Sequence, residues 1–399
     1  MRPLVGKCHL LVTFTYGVSL KEWGDSGLVD RELLLYKRMV QAGHQVTLMT
    51  YGDETDLAFT DRLDGIEILP VYARDPGGAR SIKKRKNRWA NLFFSFWIPF
   101  HFRRYFKSAD ILKTNQMSGS WVAAMASILY QKPLVVRCGF EMLRNMLRDE
   151  PYLGKRLITT LFGYLAELFS FVAADRIIIS SQTDLRFIQR RYPVRSKIRV
   201  IRNFIDTDTF QPLVNIVGPS KKESRILFVG RLAECKNILN LIKAVPKTDT
   251  GLDIVGKGPL ENQCRKHAET FHADIRFLGV LQNREMPRIM NRYEIVILPS
   301  LFECSPKGLL EAMACGRVVI GADVSGIREL IHHGVTGFLC GTDSGSLAEA
   351  INRAMRLTDD QKREMGGRAR AFVQRECALE KVFQKEKEIY QDILKIRVF

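Results

Sequence analysis

Two glutamates, Glu303 and Glu311, are separated by seven residues in the stretch FECSPKGLLEAM, and paired carboxylates can catalyse the hydrolysis of glycosidic bonds. Ser305 is expected to cap a helix whose first residue is Pro306, so that the positive end of the helix lies between the two acids. Glu311 lies more than one turn inside this helix and could face either a ligand or the solvent. The pattern alone leaves open whether the two acids share one task.

Small residues recur along the same expected helix, Pro306–Cys315. Gly308, Ala312 and Cys315 lie at positions i, i+4 and i+7, so this side of the helix would let another backbone or a ligand approach. The stretch ADVSGIREL follows the next expected strand and opens another short helix over the same sheet edge. Ligand-binding residues are therefore expected at this edge.

A second group of candidate residues follows an expected strand in LFVGRLAECKN. Gly230 ends the strand, and Arg231 and Lys236 come before the next helix. Glycine permits a ligand to approach the backbone closely, and two cations beside a helix N-terminus suit a diphosphate. A strand-to-helix turn with two solvated cations would explain the same pattern.

Two further glycines, Gly256 and Gly258, lie in the stretch IVGKGPL at an expected helix start. A plain tight turn also explains them. The dinucleotide fingerprint GxGxxG is not completed, because Glu261 occupies the position of the third glycine.

The composition of the chain limits the possible functions. The 399 residues favour two domains, and 46% hydrophobic residues exclude a mainly disordered chain. The 61 Lys and Arg exceed the 43 Asp and Glu, and a formal charge of +18 favours an anionic partner. Eight cysteines without a CxxC pair favour reduced thiols over disulfides or zinc. A cytoplasmic protein is expected, since the N-terminal run CHLLVTFTY is better interpreted as a buried strand than as a signal peptide, and no window has the length of a spanning helix.

Short apolar strands alternate with longer helical patterns, which predicts an α/β architecture with parallel sheets. A loss of periodicity at Asn203–Glu223 predicts an inter-domain linker. We expect a first domain at 1–205, a linker at 206–223, a second domain at 224–378, and a final helix near 379–399 that packs back on the first domain. Ligands should bind beyond the carboxyl ends of the strands, in a cleft between the domains.

The individual elements can be predicted from the same periodicity. One long helix is expected at Gly27–Ala42, with Gly43 ending it. The expected strands are Leu10–Tyr16, Gln45–Tyr51, Ile66–Val71, Ile111–Thr114, Leu134–Cys138, Arg176–Ser180 and Ile198–Ile201 in the first half, and Ile226–Val229, Leu252–Val255, Ile275–Leu278, Ile295–Leu298 and Val318–Gly321 in the second.

Four runs occur in a fixed order over about Leu227–Leu339: GRLxExKN, GxGPL, PSxxEx7EAMACG and SGIRELIxxGxTGFL. Together they resemble family 4 of the retaining glycosyltransferases. The resemblance implies the GT-B fold, in which two Rossmann-like, doubly wound domains face each other across a cleft. It also implies transfer of a sugar from a nucleoside diphosphate sugar, UDP- or GDP-linked, to a glycan or lipid-linked acceptor, in polysaccharide or glycolipid biosynthesis, without a metal or another cofactor.

The resemblance assigns roles to the candidate residues. Arg231 and Lys236 would hold the diphosphate, Glu303 would contact the donor sugar near its reacting carbon, and Glu311 would bind the ribose hydroxyls. The remaining donor-binding residues would be Gly230, Gly256, Gly258, Ser305, Pro306, Lys307, Gly308 and Leu309. The sequence CSPKG stands where glycine-phenylalanine-glycine is common in the family, which leaves the identity of the sugar open.

The first half resembles the family more loosely, through the stretch GHQVTLMT and through Gly27, where a second glycine of the usual pair is replaced by Ser26. Thr114–Gln116 stands where many relatives carry a histidine, so Asn115 or Gln116 would take its place. Asn115 could equally be a helix cap. The residues expected on the acceptor or cleft side are Gly27, Asn115, Gln116 and Gly139.

The segment Ala79–Lys107 contains nine Lys or Arg, nine aromatic residues and no acid. Its uncharged run Trp89–Phe102 is too short to span a bilayer but suits an interfacial helix or a buried one. Basic flanks and aromatic rings suit anionic lipid headgroups, which predicts a peripheral position on the membrane. A helix packed on the sheet, with a solvated basic end, is the alternative.

Other functions remain open at this point. Asp206 and Asp208 spell DxD, which would suit a metal-dependent GT-A transferase, although a turn explains them too. A GT-B nucleotide-sugar epimerase would use the same donor site without an acceptor. A glycoside hydrolase would not need the cations Arg231 and Lys236, and no motif supports binding of a nucleic acid.

Overall fold

The computed structural model describes residues 7–73, 87–139, 153–213 and 225–396. The chain divides into two compact units: residues 1–201 with 383–399 form the first, and residues 202–382 form the second. Residues 214–223 of the expected linker lie outside the described residues. Its earlier part belongs to the second unit, where Phe210 is buried in the hydrophobic core.

The first unit contains a seven-stranded, entirely parallel sheet with the order β3-β2-β1-β4-β5-β6-β7. These strands are apolar, β-branched runs, as expected for strands covered on both faces. The direction of the strand order reverses between β1 and β4. The strands are β1 His9–Thr13, β2 Gln45–Thr50, β3 Glu67–Pro70, β4 Ile111–Thr114, β5 Leu134–Cys138, β6 Arg176–Ile179 and β7 Ile198–Val200.

The helices of the first unit correct one prediction. The helix expected at Gly27–Ala42 is two helices separated at the buried Leu33, and Gly27, with φ +67°, lies in the turn before them. Gly43 ends the second helix as predicted, in a left-handed conformation with φ +89°. The helices are α1 Leu20–Asp25, α2 Val29–Glu32, α3 Leu34–Gln41, α4 Arg88–Ser95, α5 Ile98–His101, α6 Arg103–Ser108, α7 Ser120–Tyr130, α8 Leu153–Ala173 and α9 Gln182–Arg191.

The second unit contains a six-stranded parallel sheet with the order β10-β9-β8-β11-β12-β13, which reverses between β8 and β11. Its strands are β8 Arg225–Val229, β9 Gly251–Val255, β10 Ile275–Gly279, β11 Ile295–Leu298, β12 Val318–Ala322 and the unpredicted β13 Phe338–Cys340. Its helices are α10 Ile238–Ala244, α11 Glu261–Thr270, α12 Met286–Asn291, α13 Lys307–Ala314, α14 Ser325–Arg328, α15 Ser344–Met355 and α16 Asp359–Glu376. Strands and helices alternate in both units, so the predicted α/β architecture is confirmed.

The last helix, α17 Leu379–Ile396, begins in the second unit and continues in the first. Within the first unit, the buried carboxylate of Glu386 accepts hydrogen bonds from Lys113 of β4 and Arg137 of β5. This ionic network fastens the helix to the sheet. Among the described residues, no helix combines the length and the apolar character needed to cross a bilayer.

Candidate active site

The candidate residues of the second unit meet at the carboxyl ends of β8 and β11, where the strand order reverses. These strands are direct neighbours, with Val296 opposite Leu227. The loops that follow them are joined by a hydrogen bond from the Leu301 N–H to the Cys235 carbonyl, at 2.8 Å. In doubly wound sheets this reversal is the usual place for a ligand.

Lys236 and Glu303, which are 67 residues apart in sequence, form an ion pair between the two loops. The Ser300 hydroxyl donates a second hydrogen bond to the same oxygen of Glu303, at 2.8 Å. Both members of the pair are mostly but not fully buried, and Arg231 is exposed on the same loop as Lys236. The predicted catalytic residues Lys236 and Glu303 are thus in direct contact.

The local conformation that holds Lys236 depends on Asn237. Lys236 ends a short 3₁₀ turn at Glu234–Lys236, and Asn237 follows in a left-handed conformation with φ +57°, which asparagine tolerates better than most residues. The Asn237 amide donates to the Thr342 carbonyl at 2.7 Å. Asn237 therefore positions Lys236 and starts α10. The sequence motif includes Asn237, but the motif alone did not indicate this role.

Gly256 and Gly258 pack the loop after β9 against the loop after β8. A Cβ atom on Gly256 would overlap the carbonyl oxygen of Gly230, and one on Gly258 would overlap that of Leu232. The Leu232 N–H also donates to the Lys257 carbonyl at 3.0 Å. The close contact between the two loops explains why glycine occupies both positions.

The start of α13 corrects the predicted cap. Helix α13 begins at Lys307 with Pro306 in the capping position, and no side chain caps it. Ser305 is instead held by Asn203, whose side-chain amide donates to the Ser305 carbonyl at 2.7 Å. The Ser305 hydroxyl accepts from the backbone N–H of Asn203 at 3.5 Å, so it does not cap the helix.

Glu311 is 2% exposed, so the interpretation in which it faces the solvent is wrong. Of the predicted small-residue side, Ala312 and Cys315 are fully buried in the hydrophobic core and not available to a ligand. The side chain of Leu309 also packs in this core. Gly308 differs, because a Cβ atom there would contact only the Val229 carbonyl oxygen, at 3.7 Å.

Three more contacts fix the ends of this site. A Cβ atom on Gly326, at the start of α14, would overlap the Glu303 carbonyl, so this glycine lets α14 support the Glu303 loop. The Lys307 ammonium lies 4.4 Å from the centre of the Phe204 ring. Arg370 donates to the Ala314 carbonyl at 2.5 Å and thus binds the C-terminal end of α13. Asn203, Gly326 and Arg370 act mainly on the backbone, and residue type alone did not identify them.

The candidate residues of the first unit follow β1, β4 and β5. The Gly139 N–H donates to the side-chain oxygen of Gln116 at 3.1 Å, so these two residues are brought together. The Asn115 N–H donates to the Thr13 carbonyl at 2.8 Å. Helix α7 is preceded by Gly119, so the interpretation of Asn115 as its cap is wrong. Gly27 lies in the turn before α2, and no contact with the other three is described.

Asp206 forms a turn instead of pairing with Asp208. Its side-chain oxygens accept from the backbone N–H groups of Asp208 and Thr209, at 3.1 and 3.2 Å, and from the Thr209 hydroxyl at 2.6 Å. This arrangement agrees with the turn interpretation of DxD. Within the described ranges, no three His, Cys, Asp or Glu residues lie close enough to hold a metal ion.

Two family profiles match the chain and together span most of it. Residues 32–209 match the profile described as Glycosyltransferase Family 4, and residues 223–356 match Glycosyl transferases group 1. N-acetyl-alpha-D-glucosaminyl L-malate synthase of Bacillus anthracis is 30% identical over 50% of this chain and 54% of its own length, so the match spans about half of that relative.

A second relative and a solved structure extend the comparison. UDP-Gal:alpha-D-GlcNAc-diphosphoundecaprenol alpha-1,3-galactosyltransferase of Escherichia coli is 27% identical over 63% of this chain and 67% of its own length. The crystal structure of Anabaena Alr3699/HepE in complex with UDP and glucose superimposes with a TM-score of 0.72 at 19% identity, covering 96% of this chain and all of that one. The predicted GT-B fold with two Rossmann-like domains is confirmed.

Proposed function

The chain belongs to the family 4 glycosyltransferases, and we propose that it moves a sugar from a nucleoside diphosphate sugar to a hydroxyl group of a glycan or lipid-linked acceptor, with retention of configuration. The observation that carries the proposal is the ion pair of Lys236 with Glu303 at the reversal point of the second sheet. This position brings a cation and a carboxylate to the place where doubly wound sheets bind ligands.

Lys236 and Arg231 bind the diphosphate of the donor in this proposal. An ammonium group has three donors, so Lys236 can bind a phosphate oxygen while it keeps its hydrogen bond to Glu303. Arg231 is exposed and adds a second cation to the same loop. The start of α13 supplies backbone N–H groups. These groups stabilise the negative charge that develops on the departing diphosphate.

Glu303 and Glu311 bind different parts of the donor. The Glu303 carboxylate already accepts from Lys236 and Ser300, and its remaining acceptor capacity serves a hydroxyl of the donor sugar. Glu311 accepts the ribose hydroxyls. Because Glu311 is nearly buried, the ribose needs a narrow path to it, and Gly308, one turn earlier in α13, leaves room for that approach.

A donor screen tests the proposal. The Escherichia coli relative is named for a UDP-Gal donor and the Anabaena structure is a complex with UDP and glucose, which favours UDP-sugars over GDP- and ADP-sugars. We expect a UDP-sugar to raise the melting temperature of the protein, and Arg231→Ala and Glu311→Ala to remove this shift and slow transfer. Lys266→Ala, an exposed lysine of α11, is the matched control. Unchanged donor affinity and transfer rate in both site variants would overturn the assignment.

The acceptor, the stereochemistry and the metal requirement need separate measurements. The acceptor named in the Escherichia coli relative is a diphosphoundecaprenol-linked sugar, which supports a lipid-linked acceptor. An α-linked product from an α-linked donor, detected by NMR, would establish retention. Transfer that is unaffected by EDTA would establish metal independence.

A further inference from the structure

One side of α4 and α5 presents large apolar side chains to the solvent. Trp89, Phe93 and Trp97 are 66%, 71% and 65% exposed, and Phe100 is also exposed. They lie at positions i, i+4, i+8 and i+11, which corresponds to one face of a helix. The opposite face, with Ser95 and Ile98, is buried in the unit. Exposed apolar groups in such a continuous row usually mark an interaction surface.

Helix α8 carries a second row with the same spacing. Leu161, Leu165, Phe169 and Val172 are all exposed. The residues between them that point inward, such as Phe171, are buried. The stretch that contains α4 and α5, and the separate helix α8, thus expose apolar rows of equal length, about three turns each.

These helices lie on the same face of the first sheet. Helices α4 to α6, α7 and α8 connect β3 to β4, β4 to β5 and β5 to β6, always in the same direction across the sheet. Right-handed crossovers therefore place all of them on one face. The Trp121 ring of α7 lies 6.4 Å from the ring of Phe96, which directly follows α4, and 5.9 Å from the ring of Phe162 of α8.

The charges around these rows are positive. Arg103, Arg104 and Lys107 of α6 are exposed, and the Lys197 ammonium donates to the Val172 carbonyl at 2.8 Å, at the end of the α8 row. The helices α4, α5, α6 and α7 themselves contain no acid, and Asp110, which follows α6, accepts a hydrogen bond from the His9 N–H at 2.7 Å. The one acid of α8, Glu167, is buried and accepts a hydrogen bond from the Tyr192 hydroxyl, so it does not offset these cations at the surface.

We propose that the exposed rows of α4, α5 and α8, which we call the apolar helix surface, bind an anionic lipid bilayer. The tryptophan rings enter the interfacial region, where this side chain is favoured, and the cations of α6 contact the headgroups. The depth to which the helices enter the bilayer is limited, because the exposed rows cover only one face of each helix and the other face packs in the core of the unit.

The charge pattern favours a bilayer over a second copy of the chain. Two copies that met through this surface would bring their cations together without acids to compensate them. The proposal extends the prediction made for Ala79–Lys107 by adding α8. Residues 79–86 of that segment lie outside the described residues.

Vesicle flotation tests the proposal directly on the full chain. We expect binding to phosphatidylcholine vesicles that contain phosphatidylglycerol and weak binding to phosphatidylcholine alone. Trp89 and Trp97 should show a blue-shifted emission on binding, because their rings leave water. Equal binding to both kinds of vesicle, or binding to neither, would overturn the proposal.

Two double variants separate the contributions of the rows. Trp89→Ser with Phe93→Ser, and Leu165→Ser with Val172→Ser, should each weaken binding to anionic vesicles by about tenfold or more. Phe271→Ser with Val280→Ser, exposed apolar residues of the second unit, is the matched control and should bind like the wild type. Full binding by the Leu165 and Val172 variant would remove α8 from the surface.

Three further measurements check the folding, the oligomeric state and the donor affinity of the variants. Circular dichroism should show that all variants are folded, since the substituted side chains are exposed. Concentration-dependent dimers that disappear in the variants, together with no vesicle binding, would replace the bilayer with a second copy. Donor affinity should stay the same in every variant, so failure of the membrane proposal is distinguishable from failure of the proposed transferase function.

Discussion

In the first unit the buried charges join the sheet to a helix from the far end of the chain, whereas in the second unit they join neighbouring strands. Glu386 of α17 accepts from Lys113, 273 residues earlier, from Arg137 at 3.0 Å and from the Tyr390 hydroxyl at 2.6 Å. All four side chains are almost entirely inaccessible to solvent. Burial alone would raise the pKa of Glu386, but the charges of Lys113 and Arg137 lower it, so the carboxylate is ionised.

The corresponding network of the second unit is local and partly open to solvent. Arg225 of β8 donates at 2.5 Å to Asp253 of the neighbouring β9, which also accepts from the Tyr293 hydroxyl at 2.5 Å. Its second partner, Asp274, has a side chain that is 69% exposed. The difference predicts that water compensates for loss of the Asp274 charge in the second unit, whereas nothing compensates for loss of the buried Glu386 charge in the first.

The loops at the sheet edges of the two units also differ in charge and in accessibility to solvent. In the loops that follow the central strands of the first unit, the Gln116 side chain accepts a hydrogen bond from the Gly139 N–H. This neutral contact holds the two loops together. At the equivalent edge of the second unit, Lys236 and Glu303 form a charged pair that is partly accessible. The contact described at the first edge is neutral, whereas the contact at the second edge is a charged pair.

The largest expected effect comes from the buried network of the first unit. Glu386→Gln removes the anion but leaves Lys113 and Arg137 buried, which should lower the free energy of unfolding by about 3–5 kcal/mol. All four tryptophans belong to the first unit, so the fluorescence transition in urea reports this change. The exposed Glu388→Gln on the same helix should change it by less than about 0.5 kcal/mol.

The second unit provides the contrasting variant. Asp274→Asn should cost no more than about 1 kcal/mol, because its side chain is largely solvated. Far-UV circular dichroism would detect that change, since the second unit lacks tryptophan. A Glu386→Gln variant no less stable than Asp274→Asn would contradict the comparison.

The two networks also show what the sequence can and cannot predict. Strands such as Ile295–Leu298 are predictable because continuous apolar, β-branched runs are characteristic of buried parallel strands. The strand Phe338–Cys340 is too short for that signal. Lys113 lies in the run ILKT, and nothing local indicates its burial, because the compensating acid is 273 residues away.

The candidate site divides in the same way. Lys236 and Glu303 are predictable from residue type and from the resemblance of their motifs, and the structure brings them together. Asn203 and Gly326 were missed because they support backbone atoms and carry no reactive group. The prediction that Ser305 caps α13 is wrong, because Ser305 is hydrogen-bonded to Asn203. Asn203 is distant in sequence, so the local pattern could not reveal this contact.

The next effect concerns catalysis. Lys236→Ala removes a cation from the proposed diphosphate site and should lower kcat by about 10²–10³-fold. Gln116→Ala, at the edge of the first unit, should leave donor affinity unchanged within about twofold, since it contacts the Gly139 backbone. Transfer assays with titrated donor would measure both. Equal losses of donor affinity in the two variants would show that the edges do not differ as described.

Substitutions of two glycines in the second unit distinguish a role in loop packing from a role in access of the ligand. Gly256→Ala should lower the free energy of unfolding by roughly 1–3 kcal/mol, because its Cβ would overlap the Gly230 carbonyl at a left-handed φ of +135°. Gly308→Ala should leave stability unchanged or raise it by up to about 1 kcal/mol, since alanine favours the helix and space is available. The same substitution should weaken donor binding. Unchanged donor affinity in Gly308→Ala would remove the proposed path to Glu311.

The smallest effect is a pH dependence confined to the first unit. His44 follows α3, and its Nδ1 accepts from the Cys8 N–H at 3.3 Å. Burial, with a smaller contribution from Lys387, lowers the pKa of His44 below its ordinary value of 6.5. As the pH falls through 6.5, the unfolded chain therefore takes up a proton before the folded one, and stability decreases until the lower folded pKa is reached.

The His44 contribution to stability is thus fully present above pH 6.5, is lost as the pH falls from 6.5 to the folded pKa, and is absent below the folded pKa. His44→Gln removes the titrating group, so its tryptophan-detected urea midpoint should depend less on pH between neutral pH and the folded pKa than the wild-type midpoint does. His267→Gln, on the surface of the second unit, is the matched control and should follow the wild type. Identical slopes for wild type and His44→Gln would mean that the imidazole is equally accessible to protons in the folded and unfolded chains, and burial at this edge would then have no energetic consequence.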